Sequence, residues 1–247
     1  MVDALQIKLP NGTTCHLTSL AMRRTAKFLR WEIHTLQRYL HPGFELRPTD
    51  NVLDVGGNLG MFMLWAAPQV PRGRVVTVEP TPRAHTCLAL NIEKNGLANV
   101  TALNTAIGRD GGRMDMVTYP GIEALSHASH IRPPILARML GKWPRRSERV
   151  TVPEISLGRV MDEQRLSTVN YLKLDCEGAE FEIIRTTKPV HWRRVERIAI
   201  EYHESGKDRK RGELVSILKG HGFAVNTQAS RIERHLLKSG TIWARRH

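Results

Sequence analysis

Acidic side chains are scarce in this chain: 24 Asp and Glu stand against 37 Lys and Arg, a formal net charge of +13. Such a surface attracts phosphates, nucleic acid or anionic lipid heads, and says nothing of chemistry. Cysteine is scarcer still. Cys15, Cys87 and Cys176 are odd in number and scattered, which argues against a disulfide framework, and no Cys-x-x-Cys or His-x-x-x-His spacing offers a zinc site. Long apolar runs are missing: the longest, Met61–Ala67, is far short of the roughly 20 residues of a spanning helix. Met1–Leu5 lacks the basic-then-apolar start of a secretory leader, so the chain is expected to be cytoplasmic, without a membrane span. Basic clusters at 138–149, 185–197, 207–211 and 231–247 do not interleave aromatic residues as a base-stacking platform would, and a solvated basic face is their simplest reading.

What is present suits a globular protein: 41% hydrophobic and 25% charged residues, in 247 residues sized for one α/β domain with a small extra element. Residues 1–48 read as that element. A hairpin of Leu5–Leu9 and Thr13–Leu17 turns at Asn11-Gly12, and a helix follows over Met22–Leu40, with Phe28, Leu29, Ile33, Leu36 and Leu40 at helical spacing before His41-Pro42-Gly43 stops it. It is a candidate cap over a ligand site or a homo-oligomer contact. From residue 49 to 247 strands and helices alternate, the rhythm of right-handed βαβ units on a mostly parallel, doubly wound Rossmann-like sheet. Residues 119–149 keep no period and read as a loop or lid.

Asn51–Gly60 is a short apolar strand that ends in an acid and runs into a glycine-rich turn before a helix. Glycine lets a ligand approach the backbone, and the helix that follows starts with free N–H groups facing it. The spacing Asp54, Gly56, Gly57, Gly60 is not the dinucleotide pattern G-x-G-x-x-G, which disfavours a pyrophosphate ligand. A second acid, Glu79, ends the next apolar strand, where a carboxylate accepts both hydroxyls of a ribose. Asp54 with Glu79 suits a nucleoside ligand that carries positive charge.

The segments Val52–Gly60, Val78-Glu-Pro80, Asn91–Asn95, Tyr171–Glu180 and Ile200–His203 resemble the FkbM family of S-adenosylmethionine-dependent methyltransferases. That resemblance implies the seven-stranded methyltransferase sheet, S-adenosylmethionine as cofactor and O-methylation as the reaction. It further implies that Asp54, Gly56, Asn58 and Gly60 surround the methionine part, that Glu79 holds the ribose, and that the stretch from Asn104 to Ala106 lies near the adenine. Gly57 stands where relatives commonly carry alanine.

Methyl transfer asks the protein to align donor with acceptor and to help the acceptor hydroxyl lose its proton. Lys173 and Asp175 share one face of a strand, and Asp175 sits at its C-terminal end, where ligand sites of open α/β sheets lie. Glu177 and Glu180 follow it. If the strand ending in Glu201 lies alongside, Asp175 and Glu201 can converge on a hard cation such as Mg²⁺, with Asp175 and His203 as the catalytic pair and His203 as general base. The acceptor is expected to be a small molecule, sugar or glycan. His127, His130, Arg132 and Trp143 could contact an anionic one. Two alternatives stay open: an RNA ribose or other nucleic-acid methyltransferase, and an inactive cofactor-binding module.

Overall fold

The computed structural model describes residues 5–131, 147–204, 208–230, 233 and 238–246. A short hairpin, β1 (Gln6–Lys8) and β2 (Thr14–His16), leads into helix α1 (Arg23–Arg30). Then follow β3 (Asn51–Val55), α2 (Met61–Ala66), β4 (Arg74–Val78), α3 (Pro82–Lys94) and β5 (Val100–Leu103). A second group comprises β6 (Ala106–Ile107), β7 (Gly112–Thr118), β8 (His127–Ala128), β9 (Glu148–Ile155) and α4 (Leu157–Glu163). The chain closes with β10 (Tyr171–Leu174), α5 (Glu180–Thr186), α6 (Pro189–Trp192), β11 (Arg197–His203), α7 (Arg211–Gly220), β12 (Ala224–Gln228) and β13 (Ser239–Arg245).

The main sheet has seven strands in the order β12-β13-β11-β10-β3-β4-β5, mostly parallel, with β13 antiparallel to both its neighbours. Its central strands are mostly apolar because both faces are covered, with Asp54, Thr77 and Lys173 as buried polar exceptions. Alternate residues feed two cores: Val52, Val75, Tyr171 and Ala199 pack with the hairpin, α1, α2 and α3, while Leu53, Val76, Leu172 and Ile198 pack with α4, α5, α6 and α7. β3 pairs with β4 on one side and β10 on the other, so the strand order reverses there. A crevice at the carboxyl ends of β3, β4, β10 and β11 is the consequence.

A separate four-stranded sheet, β6-β9-β7-β8, stands over that crevice, and buries Met114, Met116, Ala128, Ile131 and Val152 in a core of its own. The stretch read as an aperiodic lid therefore contributes β8 and the first two residues of β9. Residues 132–146, with Arg132, Trp143 and most of the first basic cluster, lie outside the described residues, as do 205–207, 231–232 and 234–237.

The N-terminal helix is shorter than its apolar spacing suggests. After α1 it makes one wider turn, Trp31–Thr35, in which Leu36 N–H reaches Trp31 O at 2.9 Å, and Gln37 then takes left-handed backbone, φ 49°. The reversal turns Tyr39 inward and leaves Phe28 and Leu36 at the surface instead of in the core. The hairpin is seated by two asparagines, one in α3 and one capping its C-terminal end. Asn91 accepts from His16 N–H at 2.6 Å and donates to Leu59 O at 2.9 Å, and Asn95 accepts from Thr14 N–H at 2.8 Å. A buried ion pair, Arg197 with Asp50 at 2.5 Å, ties the start of β3 to β11. All three cysteines are free thiols. Among the described residues no helix is long and apolar enough to cross a membrane.

Replacing Asn91 by alanine strands the His16 N–H and the Leu59 carbonyl, so Asn91→Ala is expected to cost about 2 kcal/mol in urea unfolding. A loss under about 0.5 kcal/mol would show that the hairpin does not depend on this side chain.

Candidate active site

The turn after β3 is shaped by what its glycines leave out. Gly56 has φ 84°, and a Cβ there would fall 1.8 Å from the Asp175 carbonyl oxygen. Gly57 packs as closely: its Cβ would lie 2.2 Å from Thr77 Oγ1 and 2.8 Å from Leu88 Cδ1, so alanine would force a shift here. Asn58 is left-handed, φ 48°, a conformation its type tolerates. Its N–H donates to Glu79 Oε2 at 2.8 Å. Glu79 also accepts at Oε1 from Thr81 N–H (2.8 Å) and Thr81 Oγ1 (2.5 Å). A carboxylate has about four acceptor positions, so one on Oε2 remains for a ligand. Burial raises the Glu79 pKa above the usual carboxylate range, against the hydrogen bonds from Thr81 and Asn58.

Behind the turn lies a buried cation. Lys173 is 2% exposed, and its Nζ sits 3.0 Å from Asp54 Oδ1, 3.0 Å from Gly56 O and 3.7 Å from Asp175 Oδ2. Burial alone would lower its pKa, yet Asp54 and Asp175 outweigh that and hold it well above the usual lysine value. The rings of Tyr39 and Phe62 lie 5.2 and 5.6 Å from the same nitrogen. Asp54 is fully buried and also accepts from Thr77 Oγ1 at 3.0 Å.

At the other end of the crevice the parallel pairing of β10 and β11 brings Asp175 beside Glu201, the adjacency on which the sequence reading depends. Tyr39, from the N-terminal element, bridges them: its hydroxyl is 2.8 Å from Asp175 Oδ2 and 3.3 Å from Glu201 Oε2. Arg38 adds ion pairs to Glu32 (2.7 Å), Glu233 (2.8 Å) and Glu201 (3.5 Å). Glu201 is thus held from behind. The donor atoms of Asp175, Glu177 and His203 lie within 4.8 Å of one another, an arrangement able to hold a metal ion. Glu177 is placed there by a left-handed backbone, φ 51°. Strain of that kind in a non-glycine residue collects at functional sites. Glu180 supports the turn instead, with Oε1 accepting from Cys176 N–H at 2.7 Å and Gly178 N–H at 3.2 Å. His203 Nδ1 is 3.4 Å from Glu180 Oε1, and Nε2 is 3.7 Å from Glu177 Oε2 and 3.9 Å from Glu201 Oε1. Burial works against its charged form, but Glu177, Glu180 and Glu201 together hold the imidazolium pKa well above the ordinary value. A positive charge brought against those carboxylates acts in the opposite direction.

Both ends open on one cavity of about 560 Å³. Gly56, Asn58, Glu79, Ala106, Asp175, Glu201 and His203 line it. Asp54 and Gly60 stand behind the turn, Gly60 as the left-handed start of α2. Asn104 spends its amide on Glu79 O (2.9 Å) and Pro80 O (3.0 Å), bracing β5 against β4. The residues missed in the sequence are those from other elements: Glu32, Arg38 and Tyr39 from the N-terminus, and Met114, Met116 and Ile131 from the second sheet. A tyrosine at the end of an amphipathic stretch carries no signal that it points into a site.

Five parallel strands in one run, a reversed strand beside the edge, and a glycine turn facing an acidic strand end define the nucleoside-binding methyltransferase class. Residues 54–225 match the Methyltransferase FkbM domain, and the chain belongs to that family of S-adenosylmethionine-dependent methyltransferases. It is 31% identical to the 31-O-demethyl-FK506 methyltransferase FkbM of Streptomyces tacrolimicus over 91% of each chain. It is 26% identical to Methyltransferase 1 of Beauveria bassiana, over 72% of this chain and 74% of that one. The fold is shared with the crystal structure of Methyltransferase FkbM from Methylobacillus flagellatus KT, with a TM-score of 0.54 at 13% identity over 83% of this chain and 46% of that one. Tyr39, Arg38 and Glu233 fall outside the matched segment.

Burial pushes the Glu32 carboxyl from 4.5 up to about 8, with Glu201 adding to the shift and Arg38 opposing it. A carboxyl raised on folding favours the native state while it is protonated, and that contribution is lost as pH climbs from its unfolded to its folded value. Stability of the native chain is therefore expected to fall more steeply between pH 5 and pH 8 than that of Glu32→Gln, measured by urea unfolding. Parallel curves for the two proteins would contradict the assignment.

Proposed function

We propose that this enzyme moves the methyl group of S-adenosylmethionine to a hydroxyl of a neutral small molecule with a large apolar face. The observation that carries this reading is the composition of the cavity. Asp175, Glu177, Glu201 and His203 lie next to the glycine turn, and Phe28, Leu29, Ile33, Met114, Met116 and Ile131 form the outer wall. Carboxylates at the acceptor end repel phosphate, which disfavours both an anionic acceptor and RNA. The basic cluster at 185–197 is also partly spent within the chain, Arg185 on Glu213 (2.6 Å), Arg194 on Asp162 (2.5 Å) and Arg197 on Asp50 (2.5 Å). Sugars and glycans remain the neighbouring acceptor class, and the 31-O-demethyl-FK506 methyltransferase is by its name an O-methylating relative.

The residues fit the cofactor. Gly56 and Asn58 present backbone to the methionine part, with Asp54 and Gly60 holding the turn from behind. The free acceptor position of Glu79 takes a ribose hydroxyl, and Ala106 and the brace at Asn104 shape the adenine side. S-adenosylmethionine supplies a methyl carbon already activated by positive sulfur and leaves as the neutral thioether. As the acceptor oxygen takes that methyl in place of sulfur, its proton would pass to His203 in the neutral form, which positive charge placed against Glu177, Glu180 and Glu201 favours. Glu180 and Glu177 orient the ring. Asp175 holds the acceptor hydroxyl in line. Alternatively a divalent cation fits Asp175, Glu177 and His203, with Glu201 behind; His203 would then be a ligand and not the base, and the cation would polarise the acceptor oxygen and ease loss of its proton. An imidazole in the donor set suits Mn²⁺ or a related ion better than Mg²⁺, which prefers oxygen alone.

The test is transfer of labelled methyl to panels of apolar alcohols, oligosaccharides and RNA, with and without chelator. Asp175→Asn and His203→Ala are each expected to lower turnover about 100-fold or more. Glu79→Gln is expected to weaken cofactor binding about tenfold in calorimetry, from loss of a charged hydrogen bond. Full turnover by both acceptor-end variants, or methylation of RNA alone, would overturn the reading.

A further inference from the structure

Exposed apolar side chains gather along the N-terminal helix, which borders the cavity through Phe28. Six large apolar side chains are exposed among the described residues, and four belong to the N-terminal helix or the turns at its ends: Leu20 (61%), Phe28 (44%), Trp31 (49%) and Leu36 (47%). A fifth, Ile122 (37%), is brought against the same helix, since Thr25 Oγ1 donates to Gly121 O at 3.3 Å. Phe28 and Ile122 also line the cavity.

Three of the four cations of this helix share its exposed side. Arg24, Lys27 and Arg30 face solvent with Phe28 and Trp31, whereas Met22, Thr25, Ala26, Leu29 and Ile33 are buried. The only acid between residues 20 and 36 is Glu32, and it is buried against Arg38. Scattered apolar residues on a surface need no explanation, but four along one short helix and its ends, with a fifth against it and two of the five lining the cavity, mark an interaction surface. An acidic protein would satisfy the three cations and leave Leu20 and Trp31 without a role. A bilayer uses both kinds of group: Trp, Phe and Leu enter the boundary of the acyl chains, and the Arg and Lys stems lie along them with their heads at the phosphates.

We propose that this helix seats the enzyme on an anionic membrane surface, with the mouth of the cavity turned to the bilayer. Docking stands apart from the choice of methyl acceptor. Delivery of an apolar acceptor from the lipid phase is a consequence that rests on the acceptor reading above.

The experiment is co-sedimentation of the full chain with extruded vesicles of phosphatidylcholine, alone or with one third phosphatidylglycerol, together with quenching of tryptophan fluorescence by brominated acyl chains. Binding to the anionic vesicles is expected to exceed binding to neutral ones and to decline with salt. Lys27→Glu/Arg30→Glu is expected to weaken it about tenfold or more. Trp31→Phe should remove most of the quenching, and Trp31→Ser should weaken binding with the charges intact. These side chains lie outside the cavity lining, so cofactor binding in the same samples reports that each variant is folded. No binding to anionic vesicles at low salt, or binding unchanged by the charge reversal, would overturn the proposal. Charge-dependent binding without quenching at Trp31 would also overturn it and assign the face to an acidic macromolecule. None of these results touches methyl transfer to soluble acceptors, which is measured separately.

Discussion

One buried ammonium group organises both ends of the site. Lys173 has almost no access to water, and the isolated cost of placing its charge there is several kcal/mol. Asp54 on one side, Asp175 on the other and the Gly56 carbonyl together supply the compensation. The charge therefore fixes three things at once: the acid that ends β3, the glycine turn that follows it, and the first carboxylate of the acceptor end. Truncating it would leave two carboxylates uncompensated, one of them in the interior.

From that pivot a chain of hydrogen bonds and ion pairs runs outward. Asp175 passes to the Tyr39 hydroxyl, Tyr39 to Glu201, Glu201 to Arg38, and Arg38 to Glu32 and Glu233. The tyrosine backbone is itself held, because the hydroxyl of Tyr171 on β10 donates to Tyr39 O. The N-terminal element thus contributes Arg38 and Tyr39 to the carboxylate cluster at the ends of β10 and β11, although it precedes the matched segment. Its outward face is basic with exposed aromatic and aliphatic groups, while its inward face is apolar with the single acid Glu32, so one short helix and the turn after it serve both the core beside the site and the surface next to the cavity.

The sheet was legible because its signals are local. Val52–Val55, Arg74–Val78 and Tyr171–Leu174 are short apolar runs bounded by turns, and parallel burial on two faces leaves them little choice. Asp54 and Glu79 stood out because acids at the ends of such strands are costly without a purpose. The second sheet was not legible as a unit, since β6 pairs with β9 across nearly fifty residues and β8 is two residues long. The contribution of Tyr39 was hidden for another reason. Apolar spacing ran on to Leu40, and only the left-handed Gln37 reveals that the chain turns back before it. Asp175 beside Glu201 followed from strand adjacency, but Glu177 as the third member of the donor set depends on a single strained backbone angle.

If Lys173 couples the two ends, removing its charge must disturb both. Calorimetric titration of S-adenosylmethionine into Lys173→Met, beside the Asp54→Asn/Lys173→Met double variant, tests this most directly. The account predicts that Lys173→Met loses most of its cofactor affinity, and that the double variant, with no buried carboxylate left unpaired at Asp54, recovers part of it. Cofactor affinity unchanged in Lys173→Met would contradict it.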